Sequence, residues 1–348
     1  MKVGIILPSN KYAGPGKVIE SLLTELISFN DIEVDLYLLK ELHENIIRFP
    51  VTARIFNRKS IHFENYDVIH TNGILPDLIA FCFKKRIRYH VSTIHNYVFE
   101  DLKYRYNVFI SFVLGHIWLY FWKRANTLVC VSDSINKYYK QWISANRLLT
   151  IHNGISTQSD SKIYDENIVR KSEEFKVKGL KVIGCITELT RIKGLEQLLH
   201  LIYREGKLAL LLIGAGKDEE RLQKTANKLG IEERCYFTGF KPDGDIYNAF
   251  FDIYIMPSMN EGFGLSMMEA VSKKVPLVCS DIPIFRELFS DEEVFFFKLG
   301  DIQSLKDSAN LALESGNQKA EKAYRRYLES YTGRLMAERY YSLYCSVS

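Results

Sequence analysis

Apolar positions along the chain fall into two kinds of run. Short, nearly continuous apolar stretches of strand length recur at Lys2–Leu7, Glu33–Leu39, Asp67–Thr71, Tyr89–Ile94, Thr127–Val131 and Leu148–Ile151. After a polar interval a second series begins, at Leu180–Thr187, Leu208–Ile213, Cys235–Thr238, Asp252–Pro257 and Pro276–Cys279. Strands buried on both faces have this appearance. Between them lie segments that read as helices: Val18–Phe29, Leu75 to about Phe83, Asp133–Trp142 with Ser132 as a possible N-cap, Gly194–Arg204, Asp218–Leu229 and Leu265–Lys273. The alternation predicts an α/β fold with doubly wound parallel sheets. The polar stretch Ser156–Glu174 lacks clean periodicity and reads as the linker. After Asp301 only helical patterns follow, an amphipathic Asp301–Leu313 and a Tyr-, Arg- and Glu-rich Ala320–Tyr344.

A length of 348 residues suits two domains of this kind. Hydrophobic content of 47% and charged content of 25% are those of an ordinary globular chain. The six cysteines, Cys82, Cys130, Cys185, Cys235, Cys279 and Cys345, are scattered and mostly sit in apolar runs, so free thiols in a reducing cytosol are expected, and no metal site. Met1–Pro8 reads as a first strand rather than a leader, and no run of 18 apolar residues exists. The net charge of +4 is uneven: residues 1–150 hold 19 Lys/Arg against 13 Asp/Glu, and residues 151–348 hold 27 against 29. A basic first half suits an anionic partner such as a membrane surface, a lipid phosphate or an acidic glycan. No nucleic-acid motif accompanies it, so nucleic acid is not an expected partner.

The charge asymmetry has a local focus. Lys84, Lys85, Arg86 and Arg88 form a basic cluster, and Lys103, Arg105, Lys123 and Arg124 bracket the apolar Val108–Trp122. Fifteen residues are too few to span a bilayer. They make either a core helix or an interfacial one, and the aromatic Trp118, Tyr120 and Trp122 fit an interface. Peripheral contact with an anionic membrane is the functional expectation here.

The chain's most informative stretch is Asp252–Phe289, which reads strand, glycine loop, helix, strand, turn, helix. Glu261 and Glu269 frame the loop and helix, eight positions apart. Beyond the carboxyl end of a parallel strand, a helix N-terminus offers free N–H groups and a positive dipole to a phosphate. Gly262 and Gly264 allow close backbone approach. A carboxylate further into the helix is a poor phosphate ligand but a good acceptor for paired ribose hydroxyls. Solvated glutamates on a plain loop are the alternative. Two smaller signals lie in the first half. Gly14, Pro15 and Gly16 follow the first strand, as an anion site or a simple turn. His95 follows the fourth strand, as a site residue or a hydrogen-bonded structural histidine, with His70 a weaker competitor.

EGFGLSMMEA, Glu261 to Ala270, closely resembles the paired-glutamate signature of retaining GT-B glycosyltransferases, glycosyltransferase family 4 in particular; the flanking MPS and VPLVCSDIPIFRELF match as well. The resemblance is clearest over Val182–Phe289. It implies two Rossmann-like domains, an acceptor domain over 1–165 and a nucleotide-sugar domain over 166–325, with a helix over 326–348 crossing back to the first. It also implies roles. Glu269 would hold the ribose, and Arg191 and Lys193 in ELTRIKG, with the backbone near Gly264 and Leu265, would neutralise the diphosphate. Glu261 would bind sugar hydroxyls and His95 would face the sugar from the other domain. Phe240 would lie near the base, Phe263 belongs to the donor loop, and Gly14 and Gly16 occupy the family's first glycine loop, interrupted here by Pro15. Asn153-Gly154 matches the end of the family's first domain. The family's usual arginine in ELTRIKG is Glu188 in this chain, with Arg191 three residues on. Asp243-Gly244-Asp245 spells a metal-binding pattern of the other major glycosyltransferase fold, but its setting before a short helix reads as a turn.

The resemblance thus implies a retaining, metal-independent glycosyltransferase without a cofactor. Its donor would be a nucleotide-diphosphate sugar, UDP favoured, and its acceptor a glycan or lipid-linked acceptor in bacterial surface polysaccharide synthesis. A nucleotide-sugar epimerase of the same fold, or a non-catalytic partner subunit motivated by Glu188, are the alternatives.

Overall fold

The computed structural model describes residues 1–58, 61–156 and 164–348, apart from the side chains of 104 and 105. The chain divides into two compact units, Met1–Ser156 with Ser330–Ser348, and Thr157–Glu329. The first contains β1 (Lys2–Ser9), α1 (Gly14–Leu26), β2 (Glu33–Lys40), β3 (Ala53–Ile55), β4 (Val68–Asn72), α2 (Ile74–Cys82), β5 (Tyr89–Ile94), α3 (Val98–Arg105), α4 (Val108–Trp122), β6 (Thr127–Cys130), α5 (Asp133–Tyr139) and β7 (Leu148–Thr150). The second contains α6 (Glu166–Val177), β8 (Lys181–Ile186), α7 (Glu196–Arg204), β9 (Leu208–Ile213), α8 (Glu219–Leu229), β10 (Cys235–Phe237), β11 (Ile253–Met256), α9 (Leu265–Ser272), β12 (Leu277–Ser280), α10 (Pro283–Leu288), β13 (Phe295–Phe297) and α11 (Ile302–Ser330). The last helix, α12 (Gly333–Cys345), belongs to the first unit again.

Each unit is built on a wholly parallel sheet. The first has the order β3-β2-β1-β4-β5-β6-β7 and the second β10-β9-β8-β11-β12-β13. Helices cover both faces of such a sheet, which is why its strands read as unbroken apolar runs: every residue of Leu208–Ile213 is buried. In both sheets the strand order reverses beside the first strand, between β1 and β4 and between β8 and β11. Ligands of doubly wound sheets bind at such switch points, beyond the carboxyl ends of the strands.

The first unit is knitted by a buried polar network. Asp77 on α2 accepts from Thr71 Oγ1 at 2.5 Å, Ser92 Oγ at 2.7 Å, Trp118 Nε1 at 2.7 Å and Trp122 Nε1 at 2.9 Å. These bonds tie α2 and α4 to β4 and β5; burial still pushes the Asp77 pKa above the ordinary range. Since Thr71 donates to Asp77, its oxygen accepts from His90 Nε2 at 2.7 Å, and burial, which pushes the His90 pKa down to about 3, keeps the ring neutral. The closing helix is held in the same manner. Tyr344 Oη lies 2.8 Å from His70 Nδ1, and Thr93 Oγ1 bridges His70 Nε2 at 2.7 Å and Tyr340 Oη at 2.9 Å. His70 is therefore a structural residue, its pKa pushed down to about 3 by burial.

Several sequence expectations shift. The helix after the first strand begins at Gly14, not Val18, because Pro15 fits the first helical turn, where its missing N–H costs nothing. Within the polar stretch read as a linker, α6 forms from Glu166, capped by Asp165 and burying Ile168, Ser172 and Phe175; residues 157–163 of that stretch lie outside the described residues. The short edge strand β3, the helix α3 and the strand β13 carry too little pattern to read. The C-terminal helical region is one 29-residue helix followed by α12, divided at Thr332, which caps α12 through its side chain. On α12, Tyr340 and Tyr344 are buried, while Tyr341 stacks on Phe29 at the rim, ring centroids 4.6 Å apart.

Candidate active site

The second unit brings two loops together at its switch point. One follows β8 and contains a single 3₁₀ turn, Arg191–Lys193, ending at Gly194 with φ +62°. The other follows β11 and runs Ser258–Gly264 into α9. Met259 N donates to Ile192 O at 2.8 Å, and Gln197 Nε2 donates to both Gly194 O and Pro257 O at 3.1 Å. A Cβ on residue 194 would come within 2.2 Å of Pro257 O, so the glycine of ELTRIKG is required by the approach of the neighbouring loop as well as by φ. The structure explains the turn after β9 similarly: a Cβ at Gly216 would lie 2.2 Å from Leu189 O.

Lys193 and Glu261 meet directly. Lys193 Nζ donates to Glu261 Oε1 at 2.5 Å, and Ser258 Oγ donates to the same oxygen at 2.9 Å. The side chains are 20% and 10% exposed. Both bonds land on Oε1, so Oε2 accepts none among the described residues. The ion pair was not expected: Lys193 and Glu261 were assigned separate partners by the resemblance. Its consequence is that Arg191 is the less committed cation. Its side chain is 76% exposed, and among the described residues its only close carboxylate is Asp218, 4.0 Å away, which Arg221 already holds through two bonds of 2.7 Å. Arg221 accordingly pulls the Asp218 pKa below the usual carboxylate range. Glu188 is the second residue beyond β8, exposed and with no ion pair among the described residues.

Gly264 is the N-cap of α9, at φ +90° and without any side-chain cap. Met267 N and Met268 N donate to Gly264 O at 3.1 and 3.2 Å, so the N–H groups of Leu265 and Ser266 are the ones an anion could take. Leu265 and Ser266 open the helix and are partly exposed, whereas Phe263 is buried and Phe240 is partly buried beyond β10. Phe263 can therefore contribute through backbone, not through its ring. Glu269 is one turn beyond Leu265 and is 8% exposed. Helical Cα–Cβ bonds tilt toward the N-terminus, so the Glu269 side chain starts out in the direction of the uncapped turn. Asp243 and Asp245 open a 3₁₀ turn, Gly244–Phe250, in which Asn248 bonds back to Asp245 O.

In the first unit, His95 stands beyond β5 with Nε2 2.8 Å from Asn72 Oδ1 at the end of β4. Burial pushes its pKa down to about 4, so the ring is a neutral hydrogen-bonding group at pH 7. Gly14 and Gly16 lie in the first turn of α1 beyond β1, and a Cβ on residue 16 would come within 2.6 Å of Ile47. Sequence reasoning missed the residues that hold the others. Ser258 supports Glu261, Gln197 laces the loops, Ser280 Oγ donates to Ser258 O at 2.6 Å, and Tyr254 Oη bonds Ser266 Oγ at 2.9 Å. Only Ser258, three residues before Glu261, carried a local signal; the rest come from different strands and helices.

Two doubly wound units, with an uncapped helix, a lysine-carboxylate pair and a second glutamate at a switch point, define the class as a GT-B glycosyltransferase. The family description "Glycosyl transferases group 1" matches residues 167–329, and "Glycosyltransferase Family 4" matches residues 25–159. The "O-antigen biosynthesis glycosyltransferase WclY" of Escherichia coli is 28% identical over 355 residues, covering 99% of this chain and 98% of that protein. Among solved structures, Anabaena Alr3699/HepE in complex with UDP and glucose superposes with a TM-score of 0.81 at 17% identity, over 99% of this chain and 100% of the other. Sucrose-phosphate synthase from Thermosynechococcus elongatus gives 0.77 at 16% identity, over 99% and 98%. The two family models, one on each unit, together support a GT-B glycosyltransferase of the family 4 type.

Proposed function

We propose that this protein transfers a sugar, with retention of anomeric configuration, from a UDP-sugar to a glycan or lipid-linked acceptor in bacterial surface polysaccharide synthesis. The observation that carries the reading is the arrangement at β8 and β11: the uncapped turn of α9 beside Lys193, Glu261 and the exposed Arg191. The name of the Escherichia coli relative supports the polysaccharide setting, and the UDP bound to the Anabaena neighbour supports the base.

In this reading the α9 N–H groups, Arg191 and Lys193 stabilise the diphosphate as the bond from C1 to its oxygen breaks. Preorganised charge at a leaving group is usually the largest electrostatic contribution. Glu269 accepts from the ribose hydroxyls, and Glu261 Oε2 accepts from the sugar. Phe240 lies toward the base. His95, neutral, serves as a hydrogen-bonding contact rather than a base. The acceptor hydroxyl attacks from the face the diphosphate leaves, and its proton passes to a departing phosphate oxygen. No resident metal or cofactor enters this scheme.

Glu188 favours one other reading, a non-catalytic partner subunit. Its exposed carboxylate stands where the family carries a cation and would repel a diphosphate. Proton NMR of UDP-glucose, UDP-galactose and UDP-N-acetylglucosamine incubated with the protein separates the possibilities. Slow release of UDP with the free sugar first appearing in the donor's own anomeric form is the expected result. Interconversion of the UDP-sugars would show an epimerase, and no consumption of any donor would point to the partner subunit.

A further inference from the structure

Eight of the eighteen large hydrophobic side chains exposed among the described residues lie between Tyr106 and Tyr120. This is a concentrated patch, beyond the single apolar residues scattered over any surface. On α4, Val108, Phe109, Phe112, Val113, Ile117 and Tyr120 are 67%, 75%, 59%, 38%, 42% and 52% exposed. Phe109, Phe112, Val113 and Tyr120 fall at i, i+3, i+4 and i+11, along one face of the helix.

The opposite face is fixed. Ser111 Oγ donates to Phe99 O at 2.6 Å, and Trp118 and Trp122 Nε1 donate to Asp77. Gly115 is so close to α3 that a Cβ there would come within 2.4 Å of the Phe99 ring. Arg147 donates to the carbonyls of Trp122 and Lys123 and so holds the far end. The apolar face is therefore presented outward by a helix whose inner face is fully engaged.

Charge selects the occupant. No carboxylate occurs between Asp101 and Asp133. Lys103, Lys123 and Arg124 are exposed at the two ends of the helix, and Lys85 is exposed in the turn that follows α2. None of these four pairs with a carboxylate among the described residues, whereas Arg86 and Arg88 are spent on Glu64 and Asp67. A second copy seated on this face would set lysines against lysines with no carboxylate in reply. An anionic bilayer surface answers both the apolar face and the cations. At a rise of about 1.5 Å per residue the helix is about 22 Å long, short of the roughly 30 Å hydrocarbon core, so it lies in the interface and does not cross. Among the described residues no helix is long and apolar enough to cross a membrane.

We infer that α4 is a membrane-docking helix that inserts the Phe109–Tyr120 face among the headgroups of an anionic bilayer. This surface stands independently of the catalytic reading. The test is co-sedimentation of the full-length protein with vesicles of phosphatidylglycerol and phosphatidylcholine, and of phosphatidylcholine alone. Wild type is expected to sediment with the anionic vesicles and to be released by salt. Each replacement in Phe109→Ser/Phe112→Ser is expected to weaken partitioning about tenfold, and Lys103→Glu/Lys123→Glu to reduce it further. These side chains are exposed, so an unchanged melting midpoint confirms the fold, and Ile117→Ser supplies an independent variant. Wild type remaining in the supernatant, or the phenylalanine variant sedimenting like wild type, would overturn the inference. So would a dimer in sedimentation equilibrium that the same variant dissolves without any vesicle binding.

Discussion

The Lys193–Glu261 pair shows what a single contact does at this site. Each group is mostly withdrawn from water, so removing one leaves the other short of a partner. Lys193→Met is expected to cost about 1–3 kcal/mol in urea unfolding, because Glu261 keeps only the Ser258 hydroxyl. Glu261→Gln is expected to cost less, since the amide oxygen still accepts from both. Gly194 and Gly179 form a controlled comparison. Both have positive φ, but only Gly194 would drive a Cβ into backbone. Gly179→Ala is expected to cost roughly 1 kcal/mol for its left-handed backbone, and Gly194→Ala about 2 kcal/mol or more, with weakened nucleotide binding in the second variant alone. At this scale the motifs were legible because the glutamates, glycines and lysine stand at fixed local spacing. Their partners were not. Nothing in the sequence announces that Lys193 reaches Glu261, 68 positions away.

Individual elements were readable where burial imposes a period. β9 and α4 read cleanly because their sequences are almost uniformly apolar. α6 did not, since Ser172 occupies the middle of its buried stripe and charges surround it. α4 also shows the limit of composition: the same fifteen apolar residues suit a core helix or an interfacial one, and only exposure distinguishes them. The break between α11 and α12 rests on Thr332, whose hydroxyl accepts from Leu335 N at 3.3 Å. Thr332→Ala is expected to lower stability by about 1 kcal/mol, read as a lower urea midpoint with an unchanged slope.

For the molecule as a whole, strand alternation revealed two doubly wound sheets, while the buried partners of His70 (Tyr344 and Thr93), His90 (Thr71) and His95 (Asn72) were invisible. His70, His90 and His95 have pKa values pushed by burial to about 3, 3 and 4. In the unfolded chain they titrate near 6.5. Between those values the unfolded state binds more protons, so stability falls as pH drops from about 6.5 toward 4, by roughly 1.4 kcal/mol per pH unit per histidine. Thermal midpoints are expected to decline through that window and to be flat in this contribution above pH 7.5. A His70→Gln variant is expected to show a shallower decline even if it is less stable at neutral pH.

The central claim, a nucleotide-diphosphate sugar held by the second unit at its switch point, is tested most directly by a thermal-shift panel. UDP, GDP, ADP, CMP and UDP-sugars are compared on wild type and Glu269→Ala. Binding to the folded state alone raises the midpoint by mass action, equivalent to about 2.7 kcal/mol at a hundred times the dissociation constant. The account predicts a rise with UDP and UDP-sugars that Glu269→Ala abolishes. No shift with any nucleotide at millimolar concentration, or an equal shift in the variant, would contradict it.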